Sequence, residues 1–349
     1  MRNFFEDQYL DIELQREIIN LISEISEYKG KLTAYQEQHP DIFNKLEKNI
    51  PLYYMKNFNS IYMDVEISSR RLKELNSNNI LPKTIEEDAV WCYFQTLSLV
   101  QKDFHILPLT PETIQELHFQ LIHYLTSDSA IWRKKIFHIP GTPENETYSS
   151  CHRPLPYELI PQYIKELCNQ YNTLEINKNI HSLILIARFI LNFYCIVPFD
   201  KGNGRLAFCL MHLLLLKNGY TFTKYVCLDK YIKKLSSKYY ESIYKSSLNW
   251  YCNGHNISFW VKVFLKIILD AYKDLNCVIL DSICKKTTSE RIQNFILKQK
   301  ETFTKDDIRN VYPDIADSTI SKVLASLQFF GQIKLVSRGR NAQWIQVRS

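Results

Sequence analysis

The chain has 349 residues, 46% hydrophobic and 23% charged, with 43 Lys+Arg against 37 Asp+Glu. That length holds a large core and more than one domain, and the balance is that of a soluble globular protein. No segment is expected to span a membrane: the best candidate, Ser182 to Phe199, contains Arg188 and Asn192 and is broken by Pro198. Residues 1–7 carry acid early and no apolar run, so no secretion signal is expected and the assignment is cytoplasmic. Nine cysteines are scattered singly from Cys92 to Cys284, without CxxC or Cys/His ligand spacing, so reduced thiols and no metal site are expected.

Periodic apolar segments dominate, and the fold is expected to be mainly α. Leu14 to Tyr35 places Ile18, Ile19, Leu21, Ile22 and Ile25 on one helical face. Thr110-Pro111-Glu112 opens a helix with Thr as N-cap and Pro at the first position, and Ile114, Leu117 and Leu121 on one side. Lys135 to Ile139 reads as strand and runs into Pro140-Gly141-Thr142-Pro143, a small hairpin or an ordinary loop. Further helices are expected over Pro156–Tyr171, His181–Ile196, Arg205 to Gly219 and Asn256–Leu275.

The last segment differs in charge. Residues 285–349 hold 12 Lys+Arg and 6 Asp+Glu, which accounts for the whole net charge of +6. Ser289 is expected to cap a helix, Thr304 to Asp307 forms a variant capping box, and Asp317-Ser318 caps a third helix that Gly331 ends. Two alternating strands, Gln332–Ser337 and Ala342–Val347, flank a turn at 338–341. Three helices and a basic hairpin spell a winged helix-turn-helix. Its third helix would present Ser318, Thr319 and Lys322 to a DNA groove, with Arg338 and Arg340 on phosphates. A dimerisation or packing role fits the same pattern.

The most informative stretch is Val197-Pro198-Phe199-Asp200-Lys201-Gly202-Asn203-Gly204-Arg205, between two strongly apolar helices. Gly202-Asn203-Gly204 at a helix start frees backbone N–H groups for an anion, and Arg205 can grip a phosphate oxygen. Those residues alone are equally a tight helix–helix turn. The wider segment resembles the Fic-family signature, His-Pro-Phe-x-Asp/Glu-Gly-Asn-Gly-Arg-x-x-Arg, that of the protein adenylyltransferases. Met55 to Lys73 is similar to the segment leading to that family's inhibitory helix, Thr110 to Trp132 with Arg133 to the helix ahead of the flap, and Lys135 to Pro154 to the flap hairpin. The resemblance implies a helical Fic core with a small β-hairpin flap, plus the winged helix. The expected domains are 1–100 (helical, with the inhibitory region), 101–280 (Fic) and 285–349 (winged helix). It further implies AMP transfer from ATP to a protein hydroxyl, with phosphates on Lys201, Gly202, Asn203, Gly204 and Arg205 and a target segment at the flap.

The departures bear on chemistry. Val197 stands at the position of the motif His, Lys201 at the metal-binding acid and Phe208 at the second Arg. Valine takes no proton, so general-base help of about 10²–10⁴-fold is absent. Lysine does not ligate Mg²⁺, which is not expected here. Ser68 and Leu72 occupy the inhibitory motif, with Leu72 where the family has Glu. If the two segments meet, an apolar contact replaces a salt bridge. Asp200 is expected to point away from the site, His212 to be a satisfied core histidine, and Cys195 to be buried with no basic neighbour. Three readings stay open: a Fic protein deficient in AMP transfer that retains a nucleotide or phosphate or is vestigial, a transferase of changed chemistry, and a DNA-binding regulator using the Fic body as a sensor or homodimer platform. ATP or another nucleotide is the only cofactor the motif suggests.

Overall fold

The computed structural model describes residues 2–5, 12–62, 67–77, 80–125, 130–134, 155–284, 286–299, 301–339 and 342–347. The hairpin expected within 135–154 and the turn residue Arg340 lie outside the described residues. The fold is mainly helical. In chain order come α1 (Ile12–Gln38), α2 (Pro40–Tyr62), α3 (Ser69–Asn76), α4 (Ile85–Asp103) and α5 (Pro111–Ile122). Then follow α6 (Ile160–Asn177), α7 (Ser182–Ile196), α8 (Asn203–Lys217), α9 (Asp229–Lys234), α10 (Ser236–Ser247) and α11 (Ser258–Ile283). The chain ends with α12 (Thr288–Lys298), β1 (Phe303–Thr304), α13 (Lys305–Val311), α14 (Asp317–Phe329), β2 (Ile333–Ser337) and β3 (Gln343–Gln346). Two compact units result, one of Met1–Gly30 with Leu46–Ala271, the other of Lys31–Lys45 with Tyr272–Ser349.

The larger unit is built around α7 and α8. In α7 nearly every residue from Leu183 to Ile196 is buried, and in α8 every residue from Leu206 to Leu216 is buried. A helix that is apolar all round can exist only inside other helices. Accordingly α7 packs on α6, α8 and α10, while α8 packs on α4, α5 and α7. Each fully buried Leu or Ile contributes about 1.5–3 kcal/mol relative to exposure, so this pair fixes the unit. Helix α5 starts as its sequence implies: the Thr110 side chain accepts the Thr113 N–H and Pro111 sits at the first position.

In the smaller unit α12, α13 and α14 enclose Ile292, Phe295, Ile308, Ile320, Val323, Leu324 and Leu327, closed by Phe303, Ile333 and Trp344. The sheet order is β1-β3-β2, antiparallel, with Trp344 opposite both Phe303 and Leu335. Three helices and the final hairpin appear in the expected order. Strand β1 was not expected, because two residues are too few to show alternation.

Several local expectations are corrected. Helix α12 is capped by Thr287, not Ser289, in a full capping box with Glu290. Helix α14 starts from Ala316 without a side-chain cap, and Asp317 lies in its first turn. There the Asp317 carboxylate accepts a 2.6 Å bond from Arg309 Nε. Helix α11 runs past Leu275 to Ile283, since no Gly or Pro interrupts it. Ile19, assigned to the inward face of α1, is 64% exposed. The Thr304–Asp307 capping box is present as read.

Candidate functional site

The loop from Val197 to Gly202 joins α7 to α8, and its geometry follows from how its backbone groups are satisfied. Helix α7 ends with Val197 at φ +48°, ψ 68°. A β-branched residue in the left-handed region is strained by about 1–2 kcal/mol. Arg133 holds it there. Its Nε donates to Val197 O at 2.6 Å, one terminal nitrogen donates to Ile196 O and Leu155 O, and its backbone N–H donates to Pro198 O at 2.9 Å. A guanidinium thus occupies the carbonyl end of α7, where orphan acceptors and the helix dipole favour a cation. Burial lowers the Arg133 pKa, and Tyr251 and Asp200 oppose that shift.

Helix α5 fastens the other half of the loop. Ala130 N–H donates to His118 Nδ1 at 3.1 Å, so Nε2 carries the proton and donates to Lys201 O at 2.9 Å. The His118 ring lies flat on Phe199, centroids 3.6 Å apart, and Trp132 flanks Phe199 at 4.9 Å. Burial pushes His118 down to about 4, so it acts as a neutral clamp. Asn203 accepts from Phe199 N–H with Oδ1 and donates to Phe199 O with Nδ2. Its side chain therefore closes the loop. Gly202 has φ +80°, and a Cβ there would lie 3.0 Å from Ile122, which leaves glycine as the residue that fits.

Beside this loop is a cleft of about 410 Å³. It is lined by the loop and α8 residues Val197, Asp200, Lys201, Gly202, Asn203, Gly204, Arg205 and Phe208, and by Leu125, Tyr194, Ile232, Tyr239 and Tyr240. The five expected phosphate-binding residues are brought together here, at the N-terminus of α8. Asp200 also lines the cleft, contrary to the expectation that it points elsewhere. Arg205 donates to Tyr124 Oη at 2.7 Å and lies 5.5 Å from the Phe58 ring. Among the described residues neither Lys201 nor Arg205 pairs with a carboxylate. Tyr194 and Tyr239, both in the lining, share a 3.2 Å hydroxyl–hydroxyl bond, and burial raises the Tyr194 pKa.

Phe208 is buried, its ring 4.7 Å from His212 and 6.3 Å from Tyr93. His212 is not the satisfied histidine expected: it is fully buried, and neither ring nitrogen has a hydrogen-bond partner among the described residues. Burial drives it down to about 3. Cys195 is buried as expected, but a basic neighbour, Arg2, exists; burial outweighs it and raises the thiol pKa. Ser68 caps α3, and Leu72 of that helix is buried. Arg71 ties α3 to α4 by two 2.7 Å bonds to Glu87 and a third to Leu81 O.

In the smaller unit, Ser318, Lys322 and Arg338 are exposed and Thr319 is half-buried. Sequence reasoning missed His118, Tyr124 and the Arg71–Glu87 pair. A histidine among Leu117, Leu121 and Ile122 on the apolar face of α5 was the one available signal for the first.

The cleft supports two predictions. Gly202→Ala should cost about 2 kcal/mol or more in chemical unfolding, from positive φ plus the Ile122 contact. Second, His118, His212 and His255 are held neutral by burial at about 4, 3 and 4. Below about pH 6.5 the unfolded chain takes protons that the folded chain refuses, so each group removes up to about 1.4 kcal/mol per pH unit. Stability should be full above pH 6.5 and fall as pH drops towards 4, measured by denaturant midpoint, and His212→Leu should lessen that slope.

Residues 108–215 match the family model described as Fic/DOC family. A search of curated proteins gave no match. Among solved structures, a Fic family protein from Desulfovibrio desulfuricans G20 superposes with TM-score 0.56 at 17% identity, over 99% of each chain. A Fic domain containing signaling protein from Bacteroides thetaiotaomicron VPI-5482 gives 0.55 at 16%, over 78% of this chain and 99% of that one. Fic-1 from C. elegans gives 0.56 at 14%, over 78% and 74%. Residues 108–215, which span α5 to most of α8 and the loop just described, thus match the Fic/DOC family model, and the fold is shared with these Fic proteins.

Proposed function

We propose that the cleft is a Fic-type site without the base and metal ligand of AMP transfer, and that it holds a phosphate-bearing ligand, a nucleotide by analogy with the family, without a divalent cation. One observation carries this reading: Lys201 and Arg205 share the cleft at the start of α8 and have no carboxylate partner among the described residues. The free N–H groups of the first turn and the helix dipole attract an anion. Arg205 offers a planar fork and Lys201 a point charge. The aromatic wall of Tyr194, Tyr239 and Tyr240 offers stacking surface.

The donor set does not fit Mg²⁺. Among the described lining residues Asp200 is the one carboxylate, and Lys201 and Arg205 share that lining. A hard divalent cation wants several oxygen ligands, so no step is assigned to one. Val197, half of whose backbone is pinned by Arg133, has no group that takes a hydroxyl proton. The amide end of Asn203 is spent on Phe199, which leaves its backbone as its contribution to an anion. Burial of Leu72 and the Arg71–Glu87 pair favour an α3 that stays docked rather than one that switches.

Calorimetry with ATP and AMP, with and without Mg²⁺, tests this. Binding should be equal or stronger without the metal, and Lys201→Ala or Arg205→Ala should weaken it about 10–100-fold. Incubation with α-labelled ATP, Mg²⁺ and lysate should label no protein, including the chain itself. Absence of nucleotide binding would favour a vestigial cleft, and clear labelling a transferase of changed chemistry.

A second reading rests on the smaller unit. That it is a DNA-binding winged helix is supported by three helices followed by a closing hairpin, by the exposure of Ser318, Lys322 and Arg338, and by the charge excess of 285–349. Binding of duplex DNA should weaken as salt rises, and Lys322→Ala with Arg338→Ala should flatten the salt slope by about one unit each. A salt-independent shift would remove this reading.

A further inference from the structure

The cleft carries its charge in one short stretch of chain. Among its described lining residues the ionic ones are Asp200, Lys201 and Arg205; the others are aliphatic, aromatic, glycine or asparagine. Lys201 is exposed and Arg205 half-buried, the latter aimed by its 2.7 Å bond to Tyr124 Oη. Phe208 follows Arg205 by three residues of α8, about 4.5 Å further along the axis and on nearly the same face. Where a cation would extend the charged stretch there is a phenyl ring, and it is buried, as is Ile232. Arg133 does not supply the missing charge, because its guanidinium is committed to the carbonyls of Val197, Ile196 and Leu155.

The uncharged part of the lining has its own organisation. Tyr194 and Tyr239 meet through their hydroxyls at 3.2 Å, and Tyr239 and Tyr240 through rings 5.4 Å apart and nearly perpendicular, so the three tyrosines form one cluster. Trp260 packs edge-on against Tyr239 at 5.1 Å and is itself fully buried, which fixes the cluster to the core. Tyr240 is 47% exposed, so part of its ring is open to a ligand. The volume, about 410 Å³, lies near the lower end of the roughly 300–1,000 Å³ of small-molecule sites.

We propose, on the basis of the phosphate-holding reading of this cleft, that its ligands are nucleoside monophosphates rather than triphosphates, and that Phe208 sets this preference. A phosphomonoester carries about −1.5 to −2 at pH 7. Lys201 and Arg205 answer that charge, and Asp200 in the same lining already offsets part of what they offer. The further phosphates of ADP or ATP bring charge for which the described lining holds no cation. A phosphate carried on towards Phe208 or Ile232 exchanges water for apolar side chains, a loss that nothing there repays. The single phosphate sits with Lys201 and Arg205, and the base lies on the tyrosine cluster, where stacking needs no charge.

The test is calorimetry on the full chain in buffer containing EDTA, with AMP, ADP and ATP, and with inorganic phosphate measured by competition against AMP. AMP should bind most tightly, and ATP about 10–100-fold more weakly, with ADP between them. Tyr240→Ala should weaken AMP about tenfold and inorganic phosphate far less, since it removes stacking surface. Phe208→Ala should narrow the gap between AMP and ATP, because water then reaches the further phosphates. ATP binding as tightly as AMP to the unaltered chain overturns the monophosphate preference while leaving the phosphate site standing. Binding of none of the four removes the phosphate site itself and this inference with it. Should Phe208→Ala not fold, the order of AMP, ADP and ATP on the unaltered chain decides.

Discussion

The larger unit depends on how two largely buried, mostly apolar helices are joined. Helices α7 and α8 lie at its centre and leave no face for water. Between them the chain must reverse through groups that want hydrogen bonds, and an unpaired carbonyl in such a place costs about 1–3 kcal/mol. Arg133 answers this at the end of α7, His118 at Lys201 O, and Asn203 across the loop. All three act on backbone. The loop is therefore rigid for reasons separate from any ligand, and its side chains at 197, 201 and 205 are presented on a fixed frame.

That separation explains how the cleft keeps its shape while its chemistry differs from the family signature. None of the three fasteners is a residue at which the motif departs. A frame built from main-chain bonds tolerates Val197, Lys201 and Phe208 as long as Gly202 and Asn203 stay. The frame displays two cations, Lys201 and Arg205, in a cleft also lined by Tyr194, Tyr239 and Tyr240.

Helices α1, α5 to α8 and α11, the loop between α7 and α8, the order of helices and hairpin after residue 285 and the Thr304 cap were legible in the sequence. Each is a local pattern: period, cap residues, Gly before a helix. The Thr287–Glu290 capping box was legible too and was passed over for Ser289, two residues on. The roles of His118 and Arg133 were not legible, because their partners are carbonyls more than sixty residues away or across a turn, and no side-chain spacing records a carbonyl. Asp200 and His212 were misread for the same reason. Their surroundings are set by tertiary packing, which a helical wheel does not contain.

The burial of Phe208 limits which side chains that position can hold. A guanidinium placed there would enter a site ringed by Tyr93 and His212. An unpaired charge in such a place costs several kcal/mol. Leu72 supplies no countercharge, and a carboxylate at 72 alone would be buried without a partner in its turn. Burial of Phe208 and of Leu72 thus sets, at each position separately, a stability cost on any ionic side chain placed there.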